Sequence, residues 1–241
     1  MKLFGRNPKQ ADDQATAQGT PVADGMISLV KQAAVSLEKH GADKERAAVY
    51  LVLDHSGSMD GFYGSGAVQN LAEEALGMSA NLDDDGQVPV VFFESSAHNP
   101  QVVDLGTYQG WVQRAHQSVP YGSTNYGSAM DAVVKHYRKS GATDPALVIF
   151  QTDGQPDSEA AVERKLREYS AEPILWFFVG FGNGAGYLNT LPGLSGRTFD
   201  NVGVFQCGAH PQSVSAASLY ETLTMEFARM LRQARAASVL R

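Results

Sequence analysis

Four runs in this chain are so apolar, and so short, that a buried strand is the natural home for each, and two of them stop at an acid. Ala47 to Leu53 (AAVYLVL), Val88 to Phe93 (VPVVFF), Ala146 to Gln151 (ALVIFQ) and Ile174 to Val179 (ILWFFV) are nearly continuous hydrophobic stretches. A strand with one wet face alternates, whereas a strand covered on both faces reads like these. Between them lie helical periodicities: Ile27, Val30, Ala34 and Leu37, closing at Gly41; Val68, Leu71, Ala72, Ala75, Leu76 and Ser79; Met130, Val133, Val134 and Tyr137; Val162, Leu166 and Tyr169; and Leu219, Leu223, Phe227 and Met230. Trp111, Val112 and Ala115 suit a short helix, Gln101 to Leu105 a short edge strand, and Val202 to Gln206 the last strand. Pro89 belongs at the start of its strand, since it has no N–H for a ladder.

Strands alternating with helices in this way predict βαβ units and an α/β fold. The expected sheet is doubly wound and mainly parallel, Rossmann-like, with helices on both faces and one short antiparallel edge strand. Ligands of such sheets sit outside the carboxyl ends of the strands, where the strand order reverses. The 241 residues suffice for one substantial domain, expected over residues 26–241 with a lead-in helix and a closing helix. Residues 1–25, rich in Gln, Ala, Asp, Gly, Thr and Pro, read as a flexible tail.

Charge and cysteine use narrow the function. A net charge of −7 disfavours nucleic acid as the main partner, because phosphate binding needs a concentrated basic surface. No apolar run approaches the roughly 20 residues that span a bilayer. The single cysteine, Cys207, leaves no disulfide framework and no cysteine-based zinc site, and it reads as a core thiol. With no long apolar leader in Met1 to Gly25, the expected location is a reducing cytoplasm.

Chemistry concentrates where the apolar runs end. Leu51-Val52-Leu53 runs into Asp54-His55-Ser56-Gly57-Ser58-Met59, and ALVIFQ runs into Thr152-Asp153-Gly154. A third piece, Tyr121-Gly122-Ser123-Thr124-Asn125-Tyr126-Gly127, is a loop rich in glycine and hydroxyls. Acids and hydroxyls delivered to the end of a buried strand suit a hard cation, which takes oxygen ligands. By itself the first piece would serve a metal-dependent enzyme equally well.

Taken in order, Asp54-x-Ser56-x-Ser58, Thr124 and Asp153 resemble the metal-ion-dependent adhesion site of the von Willebrand factor A (vWA) family. The resemblance implies the vWA version of the fold and a divalent cation, Mg²⁺ first and Mn²⁺ or Ca²⁺ as alternatives. Ser56, Ser58 and Thr124 would offer hydroxyl ligands, and Asp54 and Asp153 would act in the inner or outer shell. It further implies a coordination position completed by an Asp or Glu carboxylate from a protein partner. The segments Ser123-Thr124-Asn125-Tyr126-Gly127-Ser128-Ala129-Met130, Thr152-Asp153-Gly154-Gln155-Pro156-Asp157 and Leu219-Tyr220-Glu221-Thr222-Leu223-Thr224-Met225-Glu226-Phe227 are similar to TerF-type bacterial tellurium-resistance proteins. That similarity implies cytoplasmic work in chemical stress beside TerD-type proteins. The expectation is therefore a binding module and not an enzyme; the competing reading is a metal-assisted phosphate-ester hydrolase or phosphotransferase.

Several nearby residues admit two readings. His55 would titrate beside the metal or simply pack. Asp157 would bear on the site or cap a helix, and Tyr63, Tyr121 and Tyr126 would form a partner-facing rim or fill the core. Asp83 to Asp85 reads as a solvated turn and Gly180 to Gly184 as a turn without a P-loop's lysine. The histidines other than His55 show no ligand spacing.

Overall fold

The computed structural model describes residues 24–240. The strands are β1 (Ala48–Asp54), β2 (Gln87–Phe93), β3 (Gln101–Asp104), β4 (Ala146–Thr152), β5 (Ile174–Phe181) and β6 (Val202–Gly208). They form one sheet in the order β3-β2-β1-β4-β5-β6. Every neighbouring pair is parallel except β2 with β3, which is the antiparallel edge. All residues of β4 and β5 and all but the first of β1 are buried, which is why these stretches lack polar alternation.

The pleat of β1 divides the interior into two cores. Val49, Leu51 and Leu53 face one, built with α1 (Asp24–Lys39), α3 (Ala67–Leu82) and α7 (Ala216–Ala236). Tyr50 and Val52 face the other, closed by α5 (Tyr126–Ser140) and α6 (Glu159–Glu168). Two short helices, α2 (Asp60–Gly64) and α4 (Trp111–Ala115), pack near the ends of longer elements. The expected stripes are buried faces on α7 (Leu219, Leu223, Phe227 and Met230) and on α5 (Met130, Val133, Val134 and Tyr137), whereas α1 buries Met26, Ala33, Ser36 and Leu37, so of the stripe expected there only Leu37 is buried and Ile27 is exposed.

Some boundaries differ from the sequence reading. Gly180 and Phe181 belong to β5, paired with Gln206 and Gly208 of β6 across a bulge, so the turn begins only at Gly182, whose φ is +65°. β3 stops at Asp104 because its Oδ1 accepts from the Gly106 N–H and the Thr107 hydroxyl and turns the chain. Pro89 is the third residue of β2, yet pairing with β1 begins only at Val90, so the missing N–H falls before the parallel ladder. Two arginines of α7 are ion-paired, Arg229 with Asp200 and Glu226, and Arg235 with Glu45. The Asp83 to Asp85 segment is a turn at the surface, where Asp84 pairs with Arg46. The tail expected at 1–25 lies, except for its last two residues, outside the described residues.

One topological fact positions the site. From β1 the sheet grows toward β2 and β3, and from β4 it grows toward β5 and β6. The reversal falls between β1, which ends in Asp54, and β4, which runs into Asp153, and in sheets of this kind the ligand crevice lies outside the carboxyl ends at that point.

Candidate metal centre

Asp54 is the last residue of β1 and is wholly buried. Its Oδ1 accepts the Ser56 N–H at 2.7 Å, and its Oδ2 accepts the Thr152 hydroxyl at 2.6 Å. Thr152, the last residue of β4, is held in turn by Tyr126, whose hydroxyl lies 2.9 Å from Thr152 Oγ1 and 2.6 Å from the Gly154 carbonyl. The acid is thus fixed by both central strands and by the start of α5.

From Asp54 the donors run in a chain across the crevice. Ser56 Oγ lies 3.2 Å from Ser58 Oγ, and the Ser58 hydroxyl donates to Asp153 Oδ1 at 2.9 Å. Burial of Asp54 pushes its carboxyl up to about 6, against the opposing hydrogen bonds from Thr152 and Ser56 and with the help of the Asp153 charge. Burial also raises Asp153, again against a hydrogen bond, from Ser58. No basic side chain contributes to either shift.

The third loop approaches without joining that chain. Ser56 and Gly122 form an isolated parallel bridge, and the Gly57 N–H donates to the Gly122 carbonyl at 3.3 Å. Thr124 follows two residues later. Its N–H donates to Asp157 Oδ1 at 2.9 Å, its carbonyl accepts the Asp157 N–H at 2.9 Å, and the Ser123 hydroxyl donates to Asp157 Oδ2 at 2.7 Å. Among the described residues, Thr124 Oγ1 makes no hydrogen bond to the other four candidates. Asp54, Ser56, Ser58 and Asp153 are therefore directly linked, and Thr124 is delivered to the rim by its loop. The helix cap is Ser158, whose side chain accepts the Ala161 N–H, so Asp157 acts on the Thr124 loop and not as a cap.

Two residues bear on the site that sequence reasoning passed over. Thr152 is the direct partner of Asp54, although it stood in plain view inside Thr-Asp-Gly. Glu94 directly follows β2; it is buried, its carboxylate accepts from the Ser95 N–H and the Ser96 hydroxyl, and its carbonyl accepts the Asn125 N–H at 2.8 Å. The signal was a third apolar run ending in an acid. Gly122 must be glycine here, because a Cβ would collide with the Glu94 carboxylate and lie 2.6 Å from Ser95 Oγ.

His55 packs. It is 1% exposed, its Nδ1 lies 3.0 Å from the Pro120 carbonyl, its Nε2 lies 3.4 Å from His116 Nδ1, and its ring stacks on Tyr121 at 4.2 Å. Tyr63 and Tyr126 are core residues, and only Tyr121, 44% exposed, stands at the surface. Cys207 is half-buried, and burial pushes its thiol up to about 12.

The donor set fits a hard divalent ion. It consists of hydroxyl and carboxylate oxygens only, since the imidazole beside them is turned away. Among the described residues no group of three or more His, Cys, Asp or Glu side chains is placed to hold a metal ion without hydroxyl ligands. Two buried or half-buried carboxylates with no cationic neighbour also need a counter-charge, because burying unpaired charge is expensive.

Comparison with known proteins agrees with this architecture. A family model described as the vWA found in the TerF C terminus matches residues 46–240. The uncharacterized protein YcbR of Bacillus subtilis (strain 168) is 30% identical over 217 residues, covering 88% of each chain. Similar folds are seen in proximal thread matrix protein 1 from the mussel byssus with a zinc-occupied MIDAS motif (TM-score 0.55, 18% identity, 75% of this chain and 48% of that one). They are seen also in the manganese-loaded TRAP protein of Plasmodium vivax (TM-score 0.50, 18% identity, 74% of each chain). The SpRpn10 VWA domain is a third example (TM-score 0.52, 12% identity, 72% of this chain and 93% of that one). The chain spans about half the length of the mussel protein.

Proposed function

The chain belongs to the vWA family of the type found at the TerF C terminus, and on that premise we propose that it is a metal-dependent protein-interaction module working in the bacterial cytoplasm in the response to tellurite or related chemical stress. The observation that carries the reading is the linked set of oxygen donors from Asp54 through Ser56 and Ser58 to Asp153, at the reversal of strand order and with no cation among the described residues to balance it.

In this reading Ser56, Ser58 and Thr124 supply hydroxyl oxygens, and Asp54 and Asp153 supply the balancing charge directly or through water. When bound, Mg²⁺, or Mn²⁺ or Ca²⁺ in its place, offers a positive centre that an Asp or Glu carboxylate of the partner completes. The remaining work belongs to the chain. Thr152 and Tyr126 hold Asp54 in one orientation, Asp157 sets the Thr124 loop, and Gly122 lets that loop close against Ser56. Relatives whose structures carry zinc or manganese support a divalent ion. The TerF likeness supports a TerD-type stress protein as the partner and a single domain over residues 26–241 with a tail before it.

An enzyme is disfavoured because vWA domains are usually non-catalytic and no imidazole or amine addresses the serine hydroxyls. Ser58 donates to Asp153, and His55 spends both ring nitrogens elsewhere. The test is thermal melting of chelator-treated protein with excess Mg²⁺ or Mn²⁺. A rise in melting temperature that Asp153→Ala removes is expected; unchanged melting of the wild type refutes the metal. Turnover of phosphate esters abolished by the same substitution would replace the binding reading with the hydrolase.

A further inference from the structure

A groove of about 380 Å³ runs along α5, the helix that follows the Thr124 loop, and it carries two lysines on a protein of net charge −7. Lys135 and Lys139 stand one turn apart on the outer side of α5, both exposed, with His136 between them and His98 opposite. Among the described residues neither lysine has a carboxylate within ion-pair distance. The one acid lining the groove, Asp131, is already engaged by Lys165 Nζ at 2.8 Å and by the Tyr169 hydroxyl. His136 leaves its Nε2 free of any described partner, its Nδ1 lying 3.0 Å from the Tyr50 hydroxyl.

The near end of the groove is tied to the loop that carries Thr124. Ser128, which lines its near end, sits in the first turn of α5, and its N–H donates to the Asn125 side chain next to Thr124. The Ala97 N–H donates to Ser128 Oγ at 2.7 Å, and the Asn125 side chain donates to the Ser95 carbonyl, so the 94–98 loop is tied to the same helix end. From Asn125 to Lys135 a helix rises about 15 Å, and Lys139 lies about 6 Å further on. An extended chain covers those spans in about five and about two residues.

We propose that this groove binds an extended acidic segment of the partner protein. One carboxylate of the segment reaches the metal centre, and acids about five and seven residues further along meet Lys135 and Lys139. A peptide fits better than a compact phosphate ligand, because the cations form a row along a helix and not a cage. The inference rests on the metal-dependent binding reading, which it extends from one carboxylate to a spaced series.

The probe is a fluorescent Ser/Gly nonapeptide with carboxylates at its first, sixth and eighth positions, followed by anisotropy in low salt with Mg²⁺ or with chelator. Lys135→Glu combined with Lys139→Glu should weaken binding by at least about tenfold in either condition, given two lost and two reversed surface charges. Both positions are exposed, and an unchanged melting temperature in chelator verifies that the variant is folded. Equal binding by wild type and double variant, or no binding at all, overturns the groove while leaving the metal centre standing. Tripolyphosphate binding more tightly than the peptide through the same lysines overturns the peptide as occupant. Lysine-dependent binding that ignores both Mg²⁺ and Asp54→Ala upholds the groove and defeats the metal reading.

Discussion

Replacing Asp54 by asparagine should stabilise the metal-free protein and at the same time abolish its response to metal. The carboxyl is wholly buried and is raised from 3.8 to about 6, first by burial. For an acid whose folded value lies above its unfolded one, the native state binds more protons between the two values. Stability therefore falls as pH rises through that window and stays low above it. Below pH about 3.8 the penalty is absent; above pH about 6 it reaches about 3 kcal/mol, the energy equivalent of that displacement. Asparagine removes the ionisation without stranding its neighbours. Its amide would donate to Thr152 Oγ1, Thr152 would donate to Tyr126, and the Tyr126 hydroxyl would keep the Gly154 carbonyl at 2.6 Å. Ser56 would still donate to the remaining carbonyl oxygen.

Denaturant melts of wild type and Asp54→Asn in chelator, from pH 4 to pH 8, test this. The stability gap should be near zero at the acid end and about 3 kcal/mol in favour of the variant by pH 7, or about 6–12 °C in melting temperature. Saturating Mg²⁺ at about a hundred times its dissociation constant should return about 2.7 kcal/mol to the wild type and nothing to the variant. A gap that does not change with pH, or a variant less stable than wild type at pH 7, would refute the argument that Asp54 is an unbalanced buried charge.

Other substitutions probe the supports around it. Asp157→Ala frees the Ser123 and Thr124 bonds and should weaken Mg²⁺ binding about 10- to 100-fold by calorimetry, with melting in chelator shifted far less. Gly122→Ala drives a methyl into Glu94 and Ser95 and should cost about 1–3 kcal/mol, read as a lower urea midpoint together with weaker Mg²⁺ binding. Glu74, half-buried and pushed up to about 7 by burial and then by Glu73, makes the protein less stable as pH rises from 4.5 through 7. Glu74→Gln should accordingly add about 1–2 kcal/mol at pH 8 after allowance for its partial exposure, and nothing at pH 4. A constant effect across that range would show that packing and not ionisation was changed.

The supports also explain why the donor set is so sharply placed. Asp54 is held by a threonine of β4 that lies 98 residues further along the chain, and that threonine is held in turn by a tyrosine of α5, so both supports exist only because the packed sheet brings these elements together. A carboxylate fixed from both central strands has one orientation to offer, and the serines that follow inherit it through the Ser56 N–H.

By itself the sequence determined the layered α/β architecture, because runs such as ALVIFQ and ILWFFV are hydrophobic on both faces and only a sheet covered twice can bury them. It also determined which residue types stand at the strand ends, since an apolar run that stops at Asp54 or at Thr152-Asp153 needs no partner to be recognised. Strand order, and with it the meeting of β1 and β4, was decided only by the tertiary structure. So were the roles of Asp157 as the clamp of the Thr124 loop, of His55 as a packed ring, and of Glu94 as the acid behind Gly122. The physical reason is the same in each case: a short-range pattern reports whether a side chain wants to be buried, whereas a hydrogen bond between residues far apart in the chain depends on which strands become neighbours.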